Sequence, residues 1–211
     1  MAGWLLVVGS LSFIVAAFNP VLGPVWSAPQ DVELRLIHDA ATAWTITNVL
    51  FAIATVLTAA GIWFVPERID ARGRSIARAA AVVYLIAATS WLVSLTFRLT
   101  VTPAAATTFV ASGSMDPTYV LLSRWALGLF SAFTYLAGGA LVALGVALVV
   151  VRAMSAVVAW FAILIGLTIA VGYAVFGDMP PFVAYLPTGL IGLALLRQRR
   201  VDPDKPERLA A

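Results

Sequence analysis

Long apolar runs dominate this chain of 211 residues and restrict what it can fold into. The longest extends from Tyr119 to Val151, over 30 residues in which Arg124 is the only charged side chain. About 20 mostly apolar residues suffice for a helix to cross the hydrocarbon core of a bilayer. Because 62% of the residues are hydrophobic and only 11% are charged, most of the chain follows the same pattern. The sequence therefore predicts an all-α, polytopic transmembrane helix bundle.

Six apolar runs are interpreted as membrane spans, and they leave no room for a sizeable soluble domain. A separate amphipathic segment on the outer side is expected at residues 28–43, where apolar side chains recur at helical spacing beside charged ones. Residues 1–198 would form the bundle and residues 199–211 a basic cytoplasmic tail. The expected spans are residues 4–26, 44–65, 79–100, 120–151, 155–176 and 182–197.

Prolines and glycines mark where these spans should be interrupted. Pro20 and Pro24 fall in the outer half of the first span, where each deletes a helical hydrogen bond, so this half should kink or unwind. The fourth span is too long for one untilted crossing, and it should tilt, protrude or bend, with Gly138-Gly139 as the preferred bend. The polar stretch from Pro103 to Pro117 is expected to be a loop.

Basic residues distribute unequally between the two sides of this arrangement. Ten of the 13 Lys and Arg residues fall on one side, and only Arg35, Arg98 and Arg124 fall on the other. By the positive-inside rule the first side is cytoplasmic, which places both termini inside and the protein in the plasma membrane. The ten are Arg68, Arg72, Arg74, Arg78, Arg152, Arg197, Arg199, Arg200, Lys205 and Arg208.

The basic pI of about 9.7 points to lipid rather than to nucleic acid as the partner. The positive charges flank apolar spans on the cytoplasmic side, where anionic headgroups accumulate. With its Ala/Val/Leu spans, its basic turn from Pro66 to Arg74 and its short hairpin from Gly177 to Pro181, the chain resembles six-span inner-membrane proteins of GC-rich bacteria. Those families have no assigned activity, so the resemblance implies the topology and no reaction.

Several kinds of chemistry are excluded by residue type. Without cysteine there is no disulfide, thiolate metal site or thiol nucleophile. The only lysine, Lys205, lies in the tail, so a buried Schiff base to retinal or pyridoxal phosphate is excluded. No Walker loop, GxGxxG, HExxH or GxSxG motif occurs. We expect no enzymatic activity and no cofactor.

Arg98 and Arg124 are the main candidates for binding a ligand. Both lie within about two turns of the outer end of a span, where a long side chain can extend to the headgroups. Alternatively, both guanidinium groups turn inward and bind an anionic headgroup or a carboxylate, or pair with Asp39, Asp116 or Asp178.

The only histidine, His38, lies beside Asp39 on the outer segment. It is expected to be a hydrogen-bonded interfacial residue. A less favoured alternative is a copper-type site in which His38 converges with Met115 and Met179 from other outer loops. No metal is predicted.

Small residues recur at four-residue spacing on the fourth and fifth spans. Gly166, Ala170 and Ala174 form one such row, Gly139 and Ala143 form another on the neighbouring span, and Gly138 lies beside Gly139. Such faces permit close helix packing, within the bundle or against the span of another chain.

Two functions are consistent with these patterns. The favoured one is a non-catalytic membrane subunit or scaffold whose small-residue faces bind partner spans. The alternative is a small transporter or binder of an amphipathic, anionic ligand that enters from the outer leaflet, with Pro20, Pro24, His38, Arg98 and Arg124 at the mouth. A transporter should turn its polar span residues toward one cavity, whereas a scaffold should bury them in pairs. The residues that discriminate are Asn19, Asn48, Ser90, Ser94 and Thr134.

Overall fold

The protein, as described by a computed structural model of residues 1–152 and 154–197, is a bundle of α-helices. Within these ranges there are seven helices and no strand, which confirms the all-α prediction. The expected basic tail, residues 199–211, lies outside the described residues. The helices are α1 (Ala2–Ala17), α2 (Gln30–Asp39), α3 (Ala41–Trp63), α4 (Ala71–Ser112), α5 (Pro117–Val151), α6 (Ala156–Phe176) and α7 (Tyr185–Arg197). Short 3-10 segments occur at Pro20–Ser27, Val65–Arg68 and Pro181–Ala184.

In the described part of the chain, four helices are long and apolar enough to cross a membrane. They are α4, α5, α6 and a continuous stretch from Ala41 to Arg68 that contains α3. A fifth span results if α1 and the segment Pro20–Ser27 are counted together. The apolar helix at the end, Pro181–Arg197, is shorter. The protein is therefore compatible with a multi-pass position in a membrane.

The chain bends by 73° after α1, so the expected interruption of the first apolar run is confirmed. The segment Pro20–Ser27 is a 3-10 helix with Pro24 inside it. Asn19 caps it, because its Oδ1 accepts a hydrogen bond from the backbone N–H of Val21 at 3.1 Å. Proline lacks an N–H donor and its ring clashes with the carbonyl one turn back, so the α-helix stops here. The chain continues in 3-10 turns, in which the Leu22 N–H donates to the Asn19 carbonyl at 3.1 Å.

The loop expected between Pro103 and Pro117 is wrong, because α4 continues through Pro103 as far as Ser112. Burial of side chains beyond Pro103 outweighs the one backbone hydrogen bond that the proline removes. Ala106 and Phe109 on this extension are buried against α2, and the chain leaves the helix only at Gly113, whose φ of 71° suits glycine. With 42 residues, α4 is about 63 Å long.

Glycines allow α5 and α6 to pack closely against each other. α5 is not interrupted at Gly138-Gly139; instead, Gly138 lies against the backbone of Gly166. A Cβ added to Gly138 would lie 2.8 Å from the Gly166 carbonyl oxygen. A Cβ added to Gly145 would lie equally close to the Ala159 carbonyl oxygen. The two helix backbones are therefore in direct contact, as the small residues predict.

The main core is formed by α1 and α3 to α7. Two pairs of buried hydroxyls are hydrogen-bonded between helices: Ser10 with Thr188, and Thr55 with Tyr185, each at 2.9 Å. The ring of Tyr185 also stacks on Phe13, with the centroids 3.8 Å apart. These pairs fix the positions of α1, α3 and α7 relative to one another.

A second, smaller core lies beneath α2. Leu34 and Ile37 on α2 are fully buried there, against residues such as Phe97 and Phe109 of α4. The amphipathic segment expected at residues 28–43 therefore packs on the bundle along the C-terminal half of α4. This segment closes one end of the molecule. We call this end the α2 end, and it comprises Pro20–Ser27, α2 and the connection from α6 to α7.

Candidate functional site

A cavity of about 810 Å³ opens at the α2 end, and every segment there contributes to its wall. A volume of this size suits a small-molecule ligand, for which pockets are typically about 300 to 1,000 Å³. Most of the wall is apolar and aromatic. The 3-10 segment contributes Trp26, α3 contributes Trp44, α4 contributes Trp91 and Arg98, and α5 contributes Arg124.

The bend after α1 positions the first of these tryptophans. Pro20 and Gly23 in the bent segment line the cavity directly, and the turn brings Trp26 to within 5.9 Å of Trp44, measured between ring centroids. Trp44 and Trp91 are each 1% exposed, whereas Trp26 is 41% exposed. The tryptophans thus extend from the interior of the bundle to its surface.

Arg98 lies among these three tryptophans. Its guanidinium carbon is 5.0 Å from the ring centroid of Trp26, 4.7 Å from that of Trp44 and 5.9 Å from that of Trp91. The indole N–H of Trp44 also donates a hydrogen bond to the Arg98 carbonyl oxygen at 2.7 Å. Cation–π contacts of this kind contribute about 0.5 to 2 kcal/mol each, so the aromatic rings hold the cation at the cavity wall.

Two hydrogen-bond donors beside the cavity lack an acceptor. Within the described residues, neither Nε of Arg98 nor Nε1 of Trp91 has a hydrogen-bond partner, although both atoms are enclosed. A buried donor without a partner costs about 1 to 3 kcal/mol. The structure thus leaves these two donors unpaired beside the cavity.

Arg124 lies across the cavity on α5 and is exposed. The adjacent Ser123 accepts a hydrogen bond from Nε2 of Gln30 at 3.2 Å. This bond joins α2 to α5 across the cavity. The second arginine is therefore placed at the surface, next to the contact that closes α2 over the site.

Two carboxylates also line the cavity, Glu33 on α2 and Asp178 between α6 and α7. Asp178 is exposed, and its Oδ1 accepts a hydrogen bond from the backbone N–H of Met179 at 2.7 Å. Glu33 is half-buried. Burial raises the pKa of the Glu33 carboxyl above its ordinary value, and the positive charge of Arg98 opposes that rise.

The structure brings Arg98 and Arg124 together, and it places the other candidate residues elsewhere. His38 and Asp39 are exposed at the end of α2 and do not line the cavity. Met115 packs on the second core, and Met179 packs on the main core. The three residues of the possible metal site therefore lie in three different surroundings. Among the described residues, no group of three or more His, Cys, Asp or Glu side chains could hold a metal ion.

The candidate packing residues divide between interior and surface. Gly138 and Gly166 touch within the chain, and Ala170 lies beside them, with its backbone nitrogen 3.6 Å from a Cβ added to Gly138. Gly139 has open space around it, and Ala174 is exposed. The row of small residues is thus used mainly inside the molecule.

The polar residues chosen to discriminate between transporter and scaffold give a mixed result. Asn19 and Ser94 line the cavity, and each also bonds a neighbouring helix, through Thr47 Oγ1 at 3.0 Å and the Ala126 carbonyl at 3.2 Å. The side chains of Asn48, Ser90 and Thr134 donate to carbonyls of their own helices. The cavity is therefore defined by its aromatic and charged residues.

Sequence reasoning missed Glu33 and the tryptophans as parts of the site. A usable signal existed, since Trp26, Trp44 and Trp91 all fall in the same half of the expected spans as Arg98. Comparison of the chain with protein-family models, with curated proteins and with solved structures finds no match.

Proposed function

We propose that this protein binds an amphipathic anion in the cavity at the α2 end. The observation that supports this most directly is Arg98, which three tryptophan rings hold beside an 810 Å³ cavity whose wall also contains Arg124. A guanidinium group binds carboxylate, phosphate or sulfonate through charge-assisted hydrogen bonds. The aromatic remainder of the wall suits an alkyl or ring-containing tail.

We also propose a membrane topology for this binding. The bent α1 with Pro20–Ser27 would be the first of six spans and Pro181–Arg197 the last, with both termini cytoplasmic in the plasma membrane of a bacterium. The excess of basic residues near the opposite end supports this orientation. Anionic headgroups would contact those cytoplasmic residues. The cavity would then open toward the outer leaflet.

The subunit or scaffold hypothesis has weaker structural support. It relied on the face formed by Gly166, Ala170 and Ala174, and the contact between Gly138 and Gly166 uses much of that face within the chain. The proposal concerns binding of the anion and includes no transport step. A partner chain that copurifies in fixed stoichiometry after gentle extraction would favour the scaffold.

The proposed function is tested with an ω-bromoundecyl sulfonate and the protein in nanodiscs of zwitterionic lipid. Bromine quenches tryptophan on contact, and three tryptophans line the cavity. We expect saturable quenching whose affinity falls about 10- to 100-fold in Arg98→Ala, the range for charge-assisted hydrogen bonds. Arg124→Ala should have a smaller effect, because Arg124 is exposed.

Arg78→Ala is the matched control, because Arg78 is exposed on the same helix far from the cavity. It should bind as the unmodified protein does. Arg98→Gln keeps a hydrogen-bonding side chain without the charge, and it serves if Arg98→Ala is unstable. Unchanged affinity in both Arg98 and Arg124 variants, or equal saturable binding of the bromoundecyl trimethylammonium cation, would contradict the proposal.

A further inference from the structure

Glu33 is a feature of the cavity that a simple anion site does not explain. It is a half-buried carboxylate that lines the same cavity as Arg98 and Arg124. Placed there, it repels the ligand that the arginines attract. Its position is fixed, since the next residue, Leu34, and Ile37 one turn later are fully buried in the second core.

We propose that Glu33 is the internal counter-ion of Arg98 in the empty cavity, and that binding of the ligand anion is accompanied by uptake of one proton by Glu33. This inference rests on the proposed function. The bound species is then the ligand anion together with a proton from the solvent, so one negative charge is added with one positive charge. The cavity would act as a proton-coupled anion site.

Other charged or titratable groups share the cavity wall or the helix of Glu33. Across the cavity, α4 presents Arg98, α5 presents Tyr119 and Arg124, and the connection from α6 to α7 presents Asp178. On its own helix, the Arg35 guanidinium lies over the ring of Phe109, 5.0 Å from its centroid. The remaining charged or titratable groups of α2 are exposed, and they are Asp31, His38 and Asp39.

Glu33 differs from Asp178, the other carboxylate in the wall. Asp178 is exposed, and its Oδ1 accepts a hydrogen bond from the backbone N–H of Met179. Glu33 is half-buried and lines the same cavity as Arg98, the group that the ligand would engage, whose positive charge favours the ionised carboxylate. A ligand that binds Arg98 therefore neutralises the charge that favours ionised Glu33, and it leaves the hydrogen bond of Asp178 in place.

The direction of the proton exchange is set by these interactions. In the empty cavity Arg98 favours the ionised form of Glu33, whereas burial favours the neutral form. A bound anion neutralises Arg98 and adds a like charge beside the carboxylate, so the pKa of Glu33 rises further. By linkage, affinity for the anion increases as the pH falls from the loaded-state pKa to the empty-state pKa, and it is constant outside that window.

The test uses the bromoundecyl sulfonate because its headgroup stays anionic at every pH of interest. Its dissociation constant is measured between pH 5 and about pH 9 in nanodiscs, and proton uptake is measured by calorimetry in buffers of different ionisation enthalpy. We expect up to about a tenfold gain in affinity per pH unit within the window. Glu33→Gln should abolish the pH dependence and bind about tenfold more tightly at high pH, which corresponds to a pKa change of one unit.

Asp178→Asn is the matched control and should retain the pH dependence of the unmodified protein. Binding that does not vary with pH, weaker binding by Glu33→Gln, or a pH dependence that persists in that variant would overturn the role of Glu33 and leave the anion site standing. Absence of saturable sulfonate binding to the unmodified protein at every pH would overturn the proposed function itself. The two failures are therefore distinguishable.

Discussion

The α5–α6 interface uses small residues and leaves no space between two helices, whereas the α2 end uses large aromatic side chains and leaves a space open. Between α5 and α6, Gly138 and Gly166 bring the two backbones so close that a Cβ added to Gly166 would lie 2.6 Å from the carbonyl oxygen of Gly138. At the α2 end, Trp26, Trp44 and Trp91 surround an open volume of about 810 Å³.

This difference shows how a chain with 62% hydrophobic residues can combine close helix packing with an open cavity. In a membrane, helices associate by close packing rather than by exclusion from water, so small residues provide the tightest contacts. Large aromatic rings keep helices apart and leave a space that they can line. The first region should therefore be sensitive to any added volume, and the second should be sensitive to changes in chemistry.

The strongest test of the packed region is Gly166→Ala. The added methyl group would meet backbone atoms of Gly138 and Val142 at 2.6 and 3.0 Å, and these atoms cannot move without shifting α5. We expect a loss of about 1 to 3 kcal/mol or more in the free energy of unfolding, measured in detergent by denaturant titration. Gly139→Ala is the control, because a Cβ there meets nothing within 4 Å. Equal stability of the two variants would contradict the close contact.

A smaller effect is expected at the cavity from Trp44→Phe. An aromatic face is retained, but the hydrogen bond from the indole N–H to the Arg98 carbonyl is lost. We expect a loss of about 0.5 to 1.5 kcal/mol of stability and several-fold weaker sulfonate binding, because Arg98 loses one of its supports. Trp63→Phe, at an exposed position on the same helix, should change neither quantity. If sulfonate binding in Trp44→Phe equals that of Trp63→Phe, the tryptophans do not position Arg98.

The smallest effect is expected at the contact between α2 and α5 over the cavity. Gln30→Ala removes the bond to Ser123, which costs about 0.6 kcal/mol, typical of interhelical hydrogen bonds in membrane proteins. We expect a few-fold faster release of the sulfonate in stopped-flow measurements and little change in stability. Ser123→Ala should have the same effect, and the double variant should add nothing to either single change. Additive effects would show that the two side chains act separately.

Much of the fold could be predicted from the sequence because its causes are local. The apolar runs, the interruption at Pro20 and Pro24 and the close packing near Gly166 each depend on residues adjacent in sequence or spaced along one helix. The continuation of α4 beyond Pro103 could not be predicted in this way. It depends on burial of Ala106 and Phe109 against a different helix, and that contact outweighs the local preference for a break.

The site could be predicted only in part, for a similar reason. Arg98 and Arg124 stand out as isolated charges near the ends of apolar spans, and the structure brings both to one cavity. Trp26, Trp44 and Glu33 belong to three different elements, and their convergence depends on the 73° bend and on the packing of α2. Such convergence has no fixed spacing in sequence, so no pattern reports it.

The unequal lengths of the helices have a consequence for the surrounding lipid. α1 and α7, with 16 and 13 residues, are about 24 and 20 Å long, and they pack side by side through Gly3 and Gly192. In the proposed topology, a bilayer with a hydrocarbon core of about 30 Å would thin beside so short a pair, whereas the longer α4 would not require thinning. The cavity borders this thin side through Phe18 and Phe182. A depression in the bilayer there would lower the headgroup layer toward the cavity, and an amphiphile could then present its charge to the arginines without first burying it in hydrocarbon.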